Sequence, residues 1–254
     1  MTTPRWILIS GASGLLGSSI SADLLAHSDY YLLLADIYTA QLKNTYSTEI
    51  SSGRVSCFEV DMSTESGITR CFDFIQEEGI VLSGALNAAY PRSAGWGAPI
   101  HNLEEENLFY DLSAQLGGSI LFSKHVINHF LAHTGGTLIH LSSIQGVSAP
   151  KFQHYAGTDM HSPIEYSAIK AGLIASVKWL AKYYANSNIR VNAVSPGGII
   201  SNQPASFVSR YREDCTNIGM LEPSMIANVV TFLFSQAAHA INGQNIIVDD
   251  GWTL

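Results

Sequence analysis

Charge is scarce in this chain: charged residues make up 13% of its 254 positions, against 46% hydrophobic residues. That imbalance implies a large core and well-covered sheet faces. Basic residues are the scarcer kind, and the formal net charge of −8 argues against nucleic acid or an anionic membrane as the main partner. Cysteine is nearly absent. Cys57, Cys71 and Cys215 are odd in number and show no CxxC spacing, so neither a disulfide framework nor a zinc knuckle is suggested and a reducing cytoplasm fits. No apolar run reaches membrane length, and the opening "MTTPRWILISGASG" is too short in apolar residues for a signal peptide, so a soluble protein is expected. There is no repeat, low-complexity segment or composition break, and a single domain over 1–254 follows.

What the sequence does hold is a series of strand-length apolar runs: "WILIS" at 6–10, "YYLLLAD" at 30–36, "RVSCFEV" at 54–60, "LSGALNAA" at 82–89, "GTLIHLSS" at 136–143, "IRVNAVS" at 189–195 and "NIIV" at 245–248. Helical patterns separate most of them. Continuous rather than alternating hydrophobicity marks strands buried on both faces, which predicts a doubly wound α/β fold with a seven-stranded parallel sheet and helices on both sides. The irregular stretches, 90–103, 144–164 and about 196–222, each follow a strand. They are expected at the carboxyl edge of the sheet, where such folds bind ligands.

"ISGASGLLGSSI" at 9–20 places Gly11, Gly14 and Gly17 between the first strand and a helix. Glycine permits the bend and the close approach of backbone to a pyrophosphate, and the helix start supplies N–H donors. Asp36 ends the second strand, where its carboxylate is positioned for ribose hydroxyls and repels a 2′-phosphate. With no arginine in the turn or just after Asp36, NAD(H) is expected over NADP(H).

"EYSAIK" at 165–170 sets Tyr166 and Lys170 four positions apart, on one face of a helix. A free tyrosine, with a pKa of about 10, is only about 0.1% ionised at neutrality, and a nearby cation makes it a better base. Taken alone, these six residues also describe a snorkelling lysine beside an amphipathic tyrosine.

Together the motifs resemble the short-chain dehydrogenase/reductase family, compact single-domain branch, over nearly the whole chain. "SGASGLLG" sits at the glycine turn, "LNAA" resembles the NAG motif, "LSSIQG" the serine strand, and "EYSAIK" is the YxxxK signature; "IRVNAVSPGGI" and "INGQNIIVDDGW" resemble the last two strands. The resemblance implies that Tyr166 is the general acid/base, that Lys170 lowers its pKa and binds the nicotinamide ribose, and that Ser143, preferred over Ser142, holds the substrate oxygen. It implies cofactor contacts from Gly11, Ser13, Gly14, Leu15, Gly17, Asp36, Asp61, Met62, Asn87, Ala88, Tyr166, Lys170, Pro196, Gly197, Ile199 and Ser201. The chain is also similar to the short-chain oxidoreductases of flagellin-modification and legionaminic-acid pathways, which implies a sugar-derived or sugar-nucleotide substrate of surface-glycan biosynthesis.

Three features depart from the compact branch. Leu15 stands where a glycine is usual, a spacing shared with the extended branch of nucleotide-sugar epimerases and dehydratases. The compact ending of the chain argues against that rival. Gln115 occupies the place of an asparagine that bends a helix and anchors a water leading to the lysine; its greater length moves or removes the relay, and it is carried as a candidate. Ser143 and Tyr166 lie farther apart than usual, separated by an insertion, "PKFQHYAGTDMHSP" at 150–163.

That insertion is expected to arch over the substrate cavity or along a neighbouring subunit, offering Lys151, His154, Tyr155, Asp159 and His161. A lid is expected near 198–222. For an anionic small-molecule substrate, Arg92, Arg210 and Arg212 are the available cations.

His125, His129 and His133 recur every fourth residue but lack the other ligands of a metal site, so no metal is expected. The apolar helices 104–132 and 164–185 are expected to pair in a homodimer or homotetramer. The alternatives are an epimerase or dehydratase that retains its NAD and a non-catalytic NAD-sensing scaffold.

Overall fold

The computed structural model describes residues 4–254. Seven parallel strands form one sheet in the order β3-β2-β1-β4-β5-β6-β7: β1 (Arg5–Ser10), β2 (Tyr30–Asp36), β3 (Val55–Glu59), β4 (Leu82–Asn87), β5 (Gly136–Leu141), β6 (Ile189–Pro196) and β7 (Asn245–Val248). The chain starts mid-sheet, runs outward to β3, and returns to build the other half from β4. The direction therefore reverses between β1 and β4, and a crevice opens beyond their carboxyl ends.

Side chains of a strand alternate between faces. Ile7, Ile9, Leu32 and Leu34 pack against α1 (Leu15–His27) and α9 (Pro223–Phe234) through Ile20, Leu24, Ile226 and Val230. Their neighbours Leu8 and Leu33 face the other way, with Leu138 and Val191, onto α4 (Glu65–Glu77), α6 (Gly118–Ala132) and α7 (Ile164–Tyr183) through Ile68, Phe122, Val126 and Val177. The unbroken apolar runs thus serve two cores. Short helices α2 (Ala40–Thr45) and α3 (Ser47–Ser51) complete the β2–β3 crossover.

The 104–132 helix is not uniform. Between α5 (Glu105–Asp111) and α6, residues Leu112–Gly117 form a wider π-helical turn, in which Gly118 N–H reaches the carbonyl of Ser113 as well as that of Gln115. The stretch expected to be an irregular lid contains α8 (Ala205–Glu213). A third, smaller core of Ile144, Phe207, Tyr211, Met220 and Trp252 lies under it, with Tyr155 and Met160 from the insertion against its side. Among the described residues, no helix is long and apolar enough to cross a membrane.

Candidate active site

The glycine turn leaves β1 with Gly11 in the left-handed region (φ 76°), and a Cβ there would lie 2.6 Å from the backbone of Ala88. Only glycine lets the turn close against the end of β4. Gly17 faces the same bend, where a Cβ would fall 2.1 Å from the Gly11 carbonyl. Gly14 precedes the first turn of α1, and Leu15, in place of the usual glycine, points its side chain outward, 52% exposed. Asp36 closes the turn from β2: Oδ2 accepts the Ser13 N–H at 2.9 Å and Oδ1 the Tyr38 N–H at 3.0 Å. After β3, Asp61 Oδ1 accepts Ser63 N–H at 2.9 Å, and Met62 is buried beside it.

Ser143, Tyr166 and Lys170 come together through a close fit between the β5 exit and α7. A Cβ at Gly146 would meet the backbone of Lys170 at 2.7 Å, so a larger residue would push the serine turn off the helix. Ser142 donates to the Lys170 carbonyl at 2.9 Å and is spent as a clasp. Ser143, next in sequence, accepts the Gln145 N–H at 3.2 Å and lies near enough to the Tyr166 phenol to lower its pKa. Ser143 and Tyr166 line one cavity of about 380 Å³.

Lys170 is buried behind the tyrosine. Its Nζ donates to the Leu141 carbonyl at 2.8 Å and lies 5.5 Å from the Tyr166 ring centroid and 5.6 Å from that of Tyr90. Burial pulls its pKa down from 10.5 to about 8. Burial also raises the pKa of the Tyr166 phenol, against the lowering influence of Ser143. The sequence reading has the lysine lowering that phenol. Here the ammonium lies over the ring and is committed to the Leu141 carbonyl, and burial is the largest influence on the phenol.

Three groups in this neighbourhood escape sequence reasoning. Tyr90 and Trp96, from the loop after β4, set their rings 5.8 Å and 5.9 Å from Tyr166, edge-on, and 5.5 Å from each other. The only sequence signal was the place of Tyr90, directly after "NAA". His140 lies inside the sheet end, where Asn87 Nδ2 reaches its Nδ1 at 3.4 Å and Ser123 meets its Nε2 at 2.9 Å. Burial, with the Lys170 charge beyond it, lowers its pKa to about 3. Asn87 also donates to Ser119 at 2.9 Å, and Ser119 to the Gln115 carbonyl at 2.5 Å.

Gln115 thus lies in the π-helical turn, and the bend associated with an asparagine forms without one. Its carbonyl joins the buried network, whereas its side-chain amide is buried without a hydrogen-bond partner. Pro196, Gly197 and Ile199 line the cavity, with Leu16 of α1 opposite as a further residue the motifs did not indicate. Ser201 lies outside it, its N–H held by Gln203 at 2.7 Å.

The insertion covers the cavity. Lys151, His154, Tyr155 and Met160 line it, while Asp159 and His161 are exposed. His154 Nε2 and Lys151 Nζ meet the two carboxylate oxygens of Asp214 at 2.5 and 3.1 Å, tying the insertion to the lid. Arg210 reinforces the tie by donating to the carbonyls of His154 and Ala156, at 2.9 and 2.5 Å. Arg212 donates to the Ile218 carbonyl, and Arg92 is exposed over the Tyr90 ring. None of these arginines lines the cavity.

The histidine row has other partners. His125 meets Glu65 at 3.1 Å, His129 accepts the Leu82 N–H at 3.0 Å, and His133 stacks on His129. Among the described residues no group of three or more His, Cys, Asp or Glu is placed to hold a metal.

Comparison with known proteins agrees with this geometry. A family model described as enoyl-(acyl carrier protein) reductase matches residues 16–253. The chain is 35% identical to post-translational flagellin modification protein A of Campylobacter coli over the full length of both. It is 27% identical to 7alpha-hydroxysteroid dehydrogenase of Bacteroides fragilis, covering 98% of this chain and 94% of that one. Among solved structures, a short-chain dehydrogenase from Leptospira borgpetersenii with bound NAD+ superposes with a TM-score of 0.87 at 27% identity, covering 99% of this chain and 94% of that chain. With a family model matching residues 16–253 and a relative 35% identical over the full length of both chains, the chain belongs to the short-chain dehydrogenase/reductase family of oxidoreductases.

Proposed function

We propose that this protein interconverts an alcohol and a carbonyl by hydride transfer with NAD(H), on a sugar-derived substrate of surface-glycan biosynthesis. The observation that carries the reading is the convergence of Ser143 and Tyr166 on one cavity, with Lys170 buried behind them. In reduction the Tyr166 phenol gives its proton to the substrate oxygen, and in oxidation the phenolate takes it back. Ser143 holds that oxygen and orients it. Lys170 supplies a positive charge that its lowered pKa of about 8 still leaves in place at neutrality.

The residues present fit a dinucleotide. The Gly11 bend against Ala88 and the glycine before α1 leave the helix start open to a pyrophosphate, and Asp36 stands at the end of β2 for the ribose hydroxyls. A nicotinamide coenzyme held by these residues would supply the hydride for reduction and accept it in oxidation. The carboxylate of Asp36 favours NAD(H) over NADP(H). The NAD+-bound relative supports a nicotinamide coenzyme, and the flagellin-modification relative supports a glycan pathway.

We place the protein in the cytoplasm as a homodimer or homotetramer. Phe109, Tyr110 and Ile120 near the π-helical turn, and Trp179 and Tyr183 on α7, are large exposed apolar side chains suited to subunit contact. The test of function is fluorescence titration with NADH and NADPH, then addition of keto-sugars and sugar nucleotides to the same sample. Tight NADH binding with oxidation by one of them is expected. Absence of NADH binding overturns the coenzyme assignment, and binding without oxidation across the panel overturns the sugar reductase.

A further inference from the structure

The cavity that Ser143 and Tyr166 share is small, about 380 Å³, at the low end for small-molecule sites. Pro196, Gly197 and Ile199, expected from the sequence to contact the cofactor, are among its lining residues, so the part left for substrate takes little more than one ring-sized group. The walls of that remainder are largely apolar: Tyr155, Phe207, Tyr211 and Trp252, with Met160 and Met220.

Its cationic groups are already engaged. The lining includes neither arginine nor carboxylate, and Lys151 and His154 are the lining residues able to carry positive charge. Both are bound to the carboxylate of Asp214, at 3.1 and 2.5 Å. Lys151 is further engaged by the Trp252 carbonyl at 3.2 Å and by the face of the indole, 4.6 Å from its centroid. Its side chain is 31% exposed, so the charge is within reach of the cavity and is held away from it by Asp214. Arg210 and Arg212 are spent on backbone carbonyls. A carboxylate or phosphate drawn into this space would lose its hydration without gaining an unpaired cation.

We infer that the part of the substrate entering this cavity is an uncharged ring alcohol or ketone, and that Asp214, by occupying Lys151, determines specificity by excluding anions. The inference rests on the proposed alcohol–carbonyl chemistry for the reacting group. It adds that any acidic or nucleotide portion of the substrate stays outside the lid. The hydrogen bond from His154, followed by that from Lys151, holds the Asp214 carboxyl below its ordinary pKa, so the guard stays ionised at neutral pH.

The test follows the indole N–H resonance of Trp252, assigned by its loss in Trp252→Phe, because Lys151 lies on that ring. In the NADH-saturated protein, cyclohexanone is expected to shift the resonance saturably, and D-gluconate and glucose 1-phosphate to leave it unmoved. In Asp214→Asn the lysine is released, and gluconate is expected to bind at least about tenfold more tightly than in the native protein, a gain abolished by adding Lys151→Met. Saturable binding of gluconate to the native protein overturns the inference, as does an unchanged gluconate affinity in Asp214→Asn. A silent cyclohexanone titration overturns the ring-sized neutral site. NADH fluorescence is read separately. Its absence would count against the coenzyme reading, and the anion titrations would still decide the role of Asp214 in the free protein.

Discussion

The ammonium of Lys170 stands 5.5 Å from the ring centroid of Tyr166 while donating its hydrogen bond to Leu141 at 2.8 Å. The two residues are close through a helical turn, yet the lysine is fixed by β5 and the phenol opens on the cavity. In the proposed reaction the first serves as a charge and the second transfers the proton. Replacing Tyr166 by Phe keeps the ring and its contacts with Tyr90 and Trp96. Turnover is therefore expected to fall at least about 10²-fold with NADH affinity nearly unchanged, as read by steady-state kinetics beside a fluorescence titration. A rate left intact would remove Tyr166 from the chemistry.

The burial of Lys170 has a signature in stability. Its pKa is about 8 in the folded chain and 10.5 as the reference value, so between those values the unfolded state binds the extra proton. Stability should rise with pH across that window, and below about pH 8 the native state carries the full handicap, about 3 kcal/mol. Urea unfolding of the native protein and of Lys170→Met, without coenzyme, isolates this contribution. Their difference is expected to climb through the window, and a flat difference would mean that the lysine is solvated.

Acid acts through the histidines. Burial holds His140 near a pKa of about 3 and His129 near about 4, from a reference of 6.5. The unfolded chain therefore binds protons first, and stability is lost progressively as pH falls from about 6.5 toward those values. His129→Gln keeps an acceptor for the Leu82 N–H and removes the titration. Its melting temperature should drop less than that of the native protein between about pH 7 and pH 5; parallel curves would contradict the buried neutral histidine.

Asp36 accepts the backbone N–H of Ser13 in the glycine turn and that of Tyr38 just after β2. If Asp36 sets the proposed preference for NAD(H), Asp36→Ala should raise the ratio of NADPH to NADH affinity, because a carboxylate at this place repels a 2′-phosphate. If the ratio stays unchanged, the ribose is read elsewhere.

Tyr90 meets the Tyr166 ring edge-on and shares the Lys170 ammonium with it. An aromatic pair of this kind contributes about 0.5–1.5 kcal/mol, so Tyr90→Leu should lower kcat by roughly 2- to 10-fold. Tyr90→Phe should restore most of it. Equal losses in both variants would place the effect in the Tyr90 hydroxyl instead.

The strands were legible because residues buried on both faces leave unbroken apolar runs, and β2 and β7 fall where "YYLLLAD" and "NIIV" lie. The nearness of Tyr166 to Lys170 was legible for a similar reason, since four residues make about one helical turn. The bend at Gln115 was not. A π-helical turn reflects packing of the whole 105–132 rod, and one side chain did not announce it. The helix α8 within 196–222 was also hidden, because its apolar residues Phe207 and Tyr211 face a small core assembled largely by other segments.

Local spacing by itself determined the parallel sheet, the glycine turn followed by an acid, and a tyrosine and lysine on one helix face. These arise from interactions within one strand or one turn, whose periods are written along the chain. The tertiary structure alone decided that Tyr90 and Trp96 flank Tyr166, that His154 reaches Asp214 across 60 positions, and that Arg210 clamps the insertion. Such contacts depend on where loops land once the sheet has closed, and separation along the chain carries no periodic signal of that landing.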